Sequence, residues 1–160
     1  MILIAYIVSM IVALPAAAHW IRPPKPIDRM TLGARERWLE HVRAHYAYVA
    51  RYGNGRPRRS HRHALGWVRR ELARVEAARL ETLGPAAAIC AVFRPCAQAL
   101  AVARCESELD TGAQNGQYLG LFQMGEYARS RYGHSATAIG QARAAHAYYL
   151  DAGWSPWACA

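Results

Sequence analysis

The sequence predicts a mainly α protein: a helical hairpin, then a small helical domain carrying one short irregular or extended segment. Three observations predict it. Between residues 31 and 83, apolar residues recur at spacings of three or four in two runs separated by a Gly- and Pro-containing break. From residue 86 onward, alanine-rich runs of helical length alternate with Pro and Gly breaks. Between those runs, residues 110–119 are too polar and glycine-rich to continue a helix. A length of 160 residues allows one ordinary domain plus an appendage, and no internal repeat is present.

Residues 1–18, "MILIAYIVSMIVALPAAA", hold no charged side chain. The stretch is short for a membrane span of about 20 residues. Pro15 followed by Ala16, Ala17 and Ala18 fits the break and small-residue cleavage site of a secretory signal. The expectation is export with cleavage after Ala18, the alternative being a retained N-terminal anchor. Residues 19–30 include "IRPPKP" and read as a linker, because proline removes donors and fixes the backbone.

In the first helix, Trp38, Val42, Tyr46, Val49 and Tyr52 form one stripe, and Gly53 sits where the helix would stop. "GNGRPRR" reads as a loop, Ser60 as the N-cap of the second helix, and Leu65, Val68, Leu72 and Val75 as its stripe. Gly84-Pro85 ends it, so residues 31–83 form the hairpin and 84–160 the second domain. In that domain, residues 86–94 and 96–108 read as helices broken at Pro95, and 121–132 and 136–152 as two more. The closing "GWSPWACA" reads as a packed tail, with Trp154 and Trp157 in the core.

Cys90, Cys96, Cys105 and Cys159 are even in number and follow an export signal, which points to disulfides. Four cysteines allow three pairings. Cys90 and Cys96 are close, with Pro95 between them, so a local bridge is expected there; Cys105–Cys159 then ties the acidic segment to the C-terminus. The spacings do not suit a zinc knuckle, and neither a metal nor a cofactor is expected.

The charge is uneven. Residues 21–83 hold fourteen arginines and one lysine against six acids, a net of +9, whereas residues 84–160 hold five arginines against five acids. A basic, aromatic hairpin suits nucleic acid, but export removes that partner. Anionic wall polymers or a membrane surface are the expected partners, with a solvated spacer as the plain alternative. His61 and His63, in the basic stretch without an acidic partner, and His134, in "RYGHSA", read as loop and turn residues.

Most of the chemistry lies in "CESELDTGAQNGQYLGLFQM", residues 105–124. Glu106, Glu108 and Asp110 crowd the end of a helix, where negative charge opposes the macrodipole. At positions i, i+2 and i+4 they do not share one face, and solvation of the helix end is the bland reading. The neighbours point elsewhere. Leu119, Leu121 and Phe122 would wall a carboxyl and favour its protonated form, as a general acid needs. Gly116 and Gly120 permit tight turns, and Asn115, Gln117, Tyr118 and Gln123 supply the amides and aromatic face that sugars use.

This stretch resembles the core of the soluble lytic transglycosylase and goose-type lysozyme superfamily. There, a Glu-Ser pair ends a helix and a Gly-Leu-(Met/Phe)-Gln block follows a polar loop; here the counterparts are Glu106-Ser107 and "GLFQ". It is also similar to the lysozyme-like domains of secreted proteins from GC-rich Gram-positive bacteria, including resuscitation-promoting factors. Their Gly-Trp-x-x-Trp tail is matched by Gly153, Trp154 and Trp157. The likeness covers about residues 86–159. The family's Asn-Pro is replaced by Asp110-Thr111, and its Ala-Tyr-Asn block has no clear counterpart beyond Tyr148 and Tyr149 in similar space.

The resemblance implies a lysozyme-like domain that cleaves the β-1,4 bond between N-acetylmuramic acid and N-acetylglucosamine in peptidoglycan strands. Glu106 would be the catalytic acid/base, with Ser107 supporting the site. Gln123 and the Gly120 backbone would contact N-acetyl groups, and Tyr118 would line the cleft. A second carboxylate, usual in glycosidases, is dispensed with in many members, where the substrate N-acetyl group assists. Attack by the muramyl 6-hydroxyl gives a 1,6-anhydro sugar, and attack by water gives hydrolysis. The expected location is secreted or envelope-associated. The alternative is a non-catalytic wall-binding or signalling module of the same fold.

Overall fold

A computed structural model of the protein describes residues 26–52 and 59–160. The apolar segment 1–18, the first part of the linker, and the loop starting at Gly53 lie outside the described residues. The described chain is mainly helical, with six α-helices and one small two-stranded antiparallel sheet. Among the described residues no helix is long and apolar enough to cross a membrane.

After a 3-10 turn at Ile27–Arg29, helix α1 runs Leu32–Tyr52 and helix α2 runs Arg59–Glu81. Thr31 Oγ1 accepts the N–H of Ala34 at 3.3 Å and so caps α1. The second helix begins at Arg59, so Ser60 lies inside it and is not its cap. The same start places His61 and His63 on helix α2 instead of in a loop. The two helices are antiparallel: Trp38 meets Trp67 edge to face at 6.0 Å, and His61 packs on Tyr46 at 5.6 Å.

The hairpin has its own core of Leu39, Val42, Tyr46, Ala64, Val68 and Val75. Leu65 and Leu72 are only partly buried, and Tyr52 leaves the expected stripe altogether, at 62% exposed. Spacing along the helix does not show where the partner helix stops covering it. Glu71, although charged, is buried at 3% exposure because Arg35 and Arg74 both pair with its carboxylate.

Helix α3, Pro85–Val92, begins with proline at its first turn, where the missing N–H has no partner to lose. Helix α4 runs Ala97–Ser107. Strands β1, Gln114–Asn115, and β2, Tyr118–Leu119, pair Gln114 with Leu119 and Asn115 with Tyr118. Gly116, at φ +58°, takes the first central position of the two-residue turn between them, which favours glycine. Helices α5, Glu126–Tyr132, and α6, Ala138–Ala152, complete the chain.

The expected helix over 121–132 is therefore too long at its start. Leu119 and Met124 exchange backbone hydrogen bonds at 3.2 and 3.1 Å, and Gly120 and Gln123 have φ of +75° and +42°. Residues 119–124 thus close a tight loop, and its apolar side chains enter the core without a helical backbone.

That main core contains Ala88, Ile89, Phe93, Val102, Leu121, Phe122, Ile139 and Trp157. Phe93 stacks on both Phe122 and Trp154, at 5.7 Å in each case. Trp157 is 5% exposed, and its indole N–H donates to the carbonyl of Phe122 at 2.7 Å, satisfying the polar end of a buried ring. The disulfides are Cys90–Cys96 and Cys105–Cys159, the expected pairing.

Candidate active site

The three acids at the end of α4 have three different settings. Glu108 takes the left-handed C-cap position, φ 55° and ψ 27°, and is exposed. Asp110 is exposed, and its carboxylate accepts the N–H of Gly112 at 2.8 Å, a local turn contact. Glu106 alone is half-buried and reaches a distant part of the chain: its Oε1 accepts the N–H of Cys159 at 3.3 Å. Cys105, the preceding residue, is bonded to that same Cys159. The backbone on both sides of this contact is covalently joined.

Ser107 is buried, and its hydroxyl lies 3.0 Å from the carbonyl of Ala103 and 2.9 Å from that of Leu121. One hydroxyl proton serves both acceptors. The side chain fastens the helix end to the apolar loop, and its hydroxyl is taken up there. Leu121 and Phe122 are buried in the main core. The contact formed by the Glu106 carboxylate is with the tail amide, where the sequence suggested an apolar wall.

Gly120 also differs from expectation. Its N–H donates to Ala113 at 2.7 Å, and its carbonyl accepts both the N–H and the side-chain amide of Gln123, each at 3.0 Å. Both lone pairs of that oxygen are engaged, so the Gly120 backbone has no group left for an N-acetyl contact. Glycine is required there for another reason. A Cβ at this position would lie 2.3 Å from the Oε1 of Gln141.

Gln141, which no motif in the sequence singles out, holds the loop. It is 3% exposed; its Oε1 accepts the N–H of Leu121 at 2.8 Å, and its Nε2 donates to Thr111 and Ser135, each at 3.0 Å. Arg129, also unforeseen, donates to the carbonyls of Gln117 and Met124. Neither residue forms part of a sequence motif, because each acts on backbone carbonyls or amides far from its neighbours in sequence.

Beside this loop lies an open groove of about 270 Å³, lined among others by Gln117, Tyr118, Gln123, Glu126, Tyr148 and Trp157. Small-molecule pockets commonly measure about 300–1,000 Å³, so this is a surface subsite more than an enclosed cavity. Tyr118 is 46% exposed, and Gln123 is half-buried with its amide donating to Ala113 at 3.1 Å and to Gly120. Tyr148 stacks on Tyr132 at 4.9 Å and leans on Trp157 at 5.2 Å. Tyr149 turns the other way, toward Phe93 and Trp154. Burial, and then a hydrogen bond to Asp151, hold the Tyr132 phenol above its ordinary pKa.

The structure thus brings Tyr118 and Gln123 together on one groove, with Tyr148 and Trp157 added. Glu106 is not among the residues lining it. The two are connected through the tail, since Trp157 lines the groove and Cys159, two residues on, bonds Glu106. Among the described residues the only carboxylate lining the groove is Glu126, exposed in the first turn of α5, where it complements the helix dipole. Among the described residues, no group of three or more His, Cys, Asp or Glu side chains is placed to hold a metal ion. The chain matches no protein-family model, no curated protein and no solved structure.

Proposed function

We propose that the protein is an exported glycosidase that cleaves the β-1,4 bond between N-acetylmuramic acid and N-acetylglucosamine in peptidoglycan, with Glu106 as its single acid/base. The observation that carries this reading is the contrast among the three acids. Glu108 and Asp110 have local, exposed roles, whereas Glu106 is half-buried beside a disulfide and held by a second segment. Such fixing of a carboxyl is what general acid catalysis needs, and it commonly contributes about 10²–10⁴-fold. The aromatic and amide lining of the groove, linked to Glu106 through the tail, suits sugar rings and N-acetyl groups.

In this reading Glu106 gives its proton to the leaving glycosidic oxygen as the C–O bond breaks. The resulting carboxylate then takes a proton from the attacking hydroxyl as the new C–O bond forms. A muramyl 6-hydroxyl closes an anhydro ring, and water yields a reducing end.

A second reading has its own observation. Glu106 does not line the groove and its carboxylate is engaged with Cys159, an arrangement that also suits a non-catalytic wall-binding module. Mass spectrometry of muropeptides released from purified wall by the oxidised protein separates the two. Released anhydro or reducing disaccharide peptides support the enzyme. Co-sedimentation with insoluble wall and no released product supports the binding module.

A further inference from the structure

The hairpin is divided by sign. All five of its helical acids, Glu36, Glu40, Glu71, Glu76 and Glu81, lie near the end from which α1 starts and at which α2 finishes. There charges alternate and pair: Arg35 and Arg74 with Glu71, Arg79 with both oxygens of Glu36, and Arg43 with Glu40. Among the described residues, 44–52 and 61–70 by contrast hold four arginines, three histidines and no acid. Among the described residues Arg51, Arg62, Arg69 and Arg70 are exposed and have no ion pair.

A solvated spacer has no reason for this asymmetry. Like charges gathered without partners repel and lower stability, and the other half of the same hairpin shows how interleaved signs avoid it. Two tyrosines stand in the basic half, Tyr48 at 51% and Tyr52 at 62% exposure. Their rings pack on each other at 5.0 Å, and the Arg51 guanidinium covers Tyr52 at 5.5 Å. For an exported chain the phosphates within reach carry no bases, so these unpaired cations meet a backbone polyanion instead of a nucleic acid.

Position points the same way. Leu80 and Leu83 pack against the main core, and Glu81 accepts a hydrogen bond from Thr137. The compact domain therefore adjoins the acid-containing end. A helix of 21 residues carries the other end about 30 Å along the axis.

We propose that this basic half is the docking surface for an extracellular alditol-phosphate polymer, a linear phosphodiester polyanion without bases. It depends on the chain being exported, and not on turnover by Glu106. The test uses the full oxidised chain with poly(glycerol phosphate), oligo-dT of equal charge, and phosphatidylglycerol vesicles, titrated across a salt series. Binding to poly(glycerol phosphate) should weaken linearly in log–log form with salt. R62S/R70S should lower affinity about tenfold and reduce the salt slope by about two, roughly one for each phosphate no longer neutralised. R51S/R69S should behave alike. R94S/R104S removes equal charge from the other domain and should change affinity less than about threefold on the same logic. Equal losses from tip and control pairs would reduce the effect to net charge and overturn the proposal. So would tighter binding to oligo-dT, or binding to vesicles alone.

Discussion

Glu106 Oε1 and the backbone N–H of Cys159 are 3.3 Å apart, across 53 residues of chain, and the disulfide from Cys105 to Cys159 spans the same gap. The hydrogen bond and the disulfide therefore stand or fall together. On the chain-entropy model, the 54-residue loop of Cys105–Cys159 contributes about 4 kcal/mol and the six-residue loop of Cys90–Cys96 about 2. C105S/C159S should lower the denaturation midpoint roughly twice as much as C90S/C96S. It should also lower activity on wall material in conditions where the protein remains folded. Equal stability losses from the two pairs, measured by urea titration, would contradict this ranking.

Gly120→Ala should destabilise by roughly 2–4 kcal/mol, combining a left-handed backbone with a Cβ that collides with Gln141. Gln141→Leu should cost a similar or larger amount, because it leaves the Leu121 N–H and two carbonyls without their partner. Combined with Gln141→Ala, which clears both colliding atoms, Gly120→Ala should give losses that are less than additive. Additive losses in a thermal-denaturation cycle would show that the clash is relieved elsewhere.

His134 should titrate below the ordinary histidine value of about 6.5, because partial desolvation of a largely exposed ring and then the Arg129 charge disfavour its protonated form. The unfolded chain then binds more protons than the folded one between that lowered value and about 6.5. Stability from this group is present above the window and is lost as pH falls through it. A proton NMR titration of the His134 ring checks the direction, and a midpoint above 6.5 contradicts it.

The hairpin was legible because amphipathic helices repeat every 3.6 residues, and Val42, Tyr46, Val68 and Val75 fall on that repeat and are buried. Glu71 was not, since its partner Arg35 is 36 residues away and only the fold reveals the pair. The disulfides followed from number, spacing and context. The start of α5 was misread because Leu121, Phe122 and Met124 are equally apolar in a helix or a tight loop; the φ of Gly120 and Gln123 decides between them. Within the site, Glu106 stood out by its neighbours. Gln141 and Arg129 did not, because a side chain that serves distant backbone groups leaves no local pattern.

The most direct measurement compares Glu106→Gln, Glu108→Gln, Asp110→Asn and Glu126→Gln on the same purified peptidoglycan, with circular dichroism as the folding control. Removal of a positioned general acid should lower turnover by about 10²–10⁴-fold. That loss is expected for Glu106→Gln alone, with a native spectrum, while the other three variants keep most of their activity. A folded Glu106→Gln protein that cleaves at the wild-type rate, or a comparable loss in Glu126→Gln instead, would contradict the assignment of the acid.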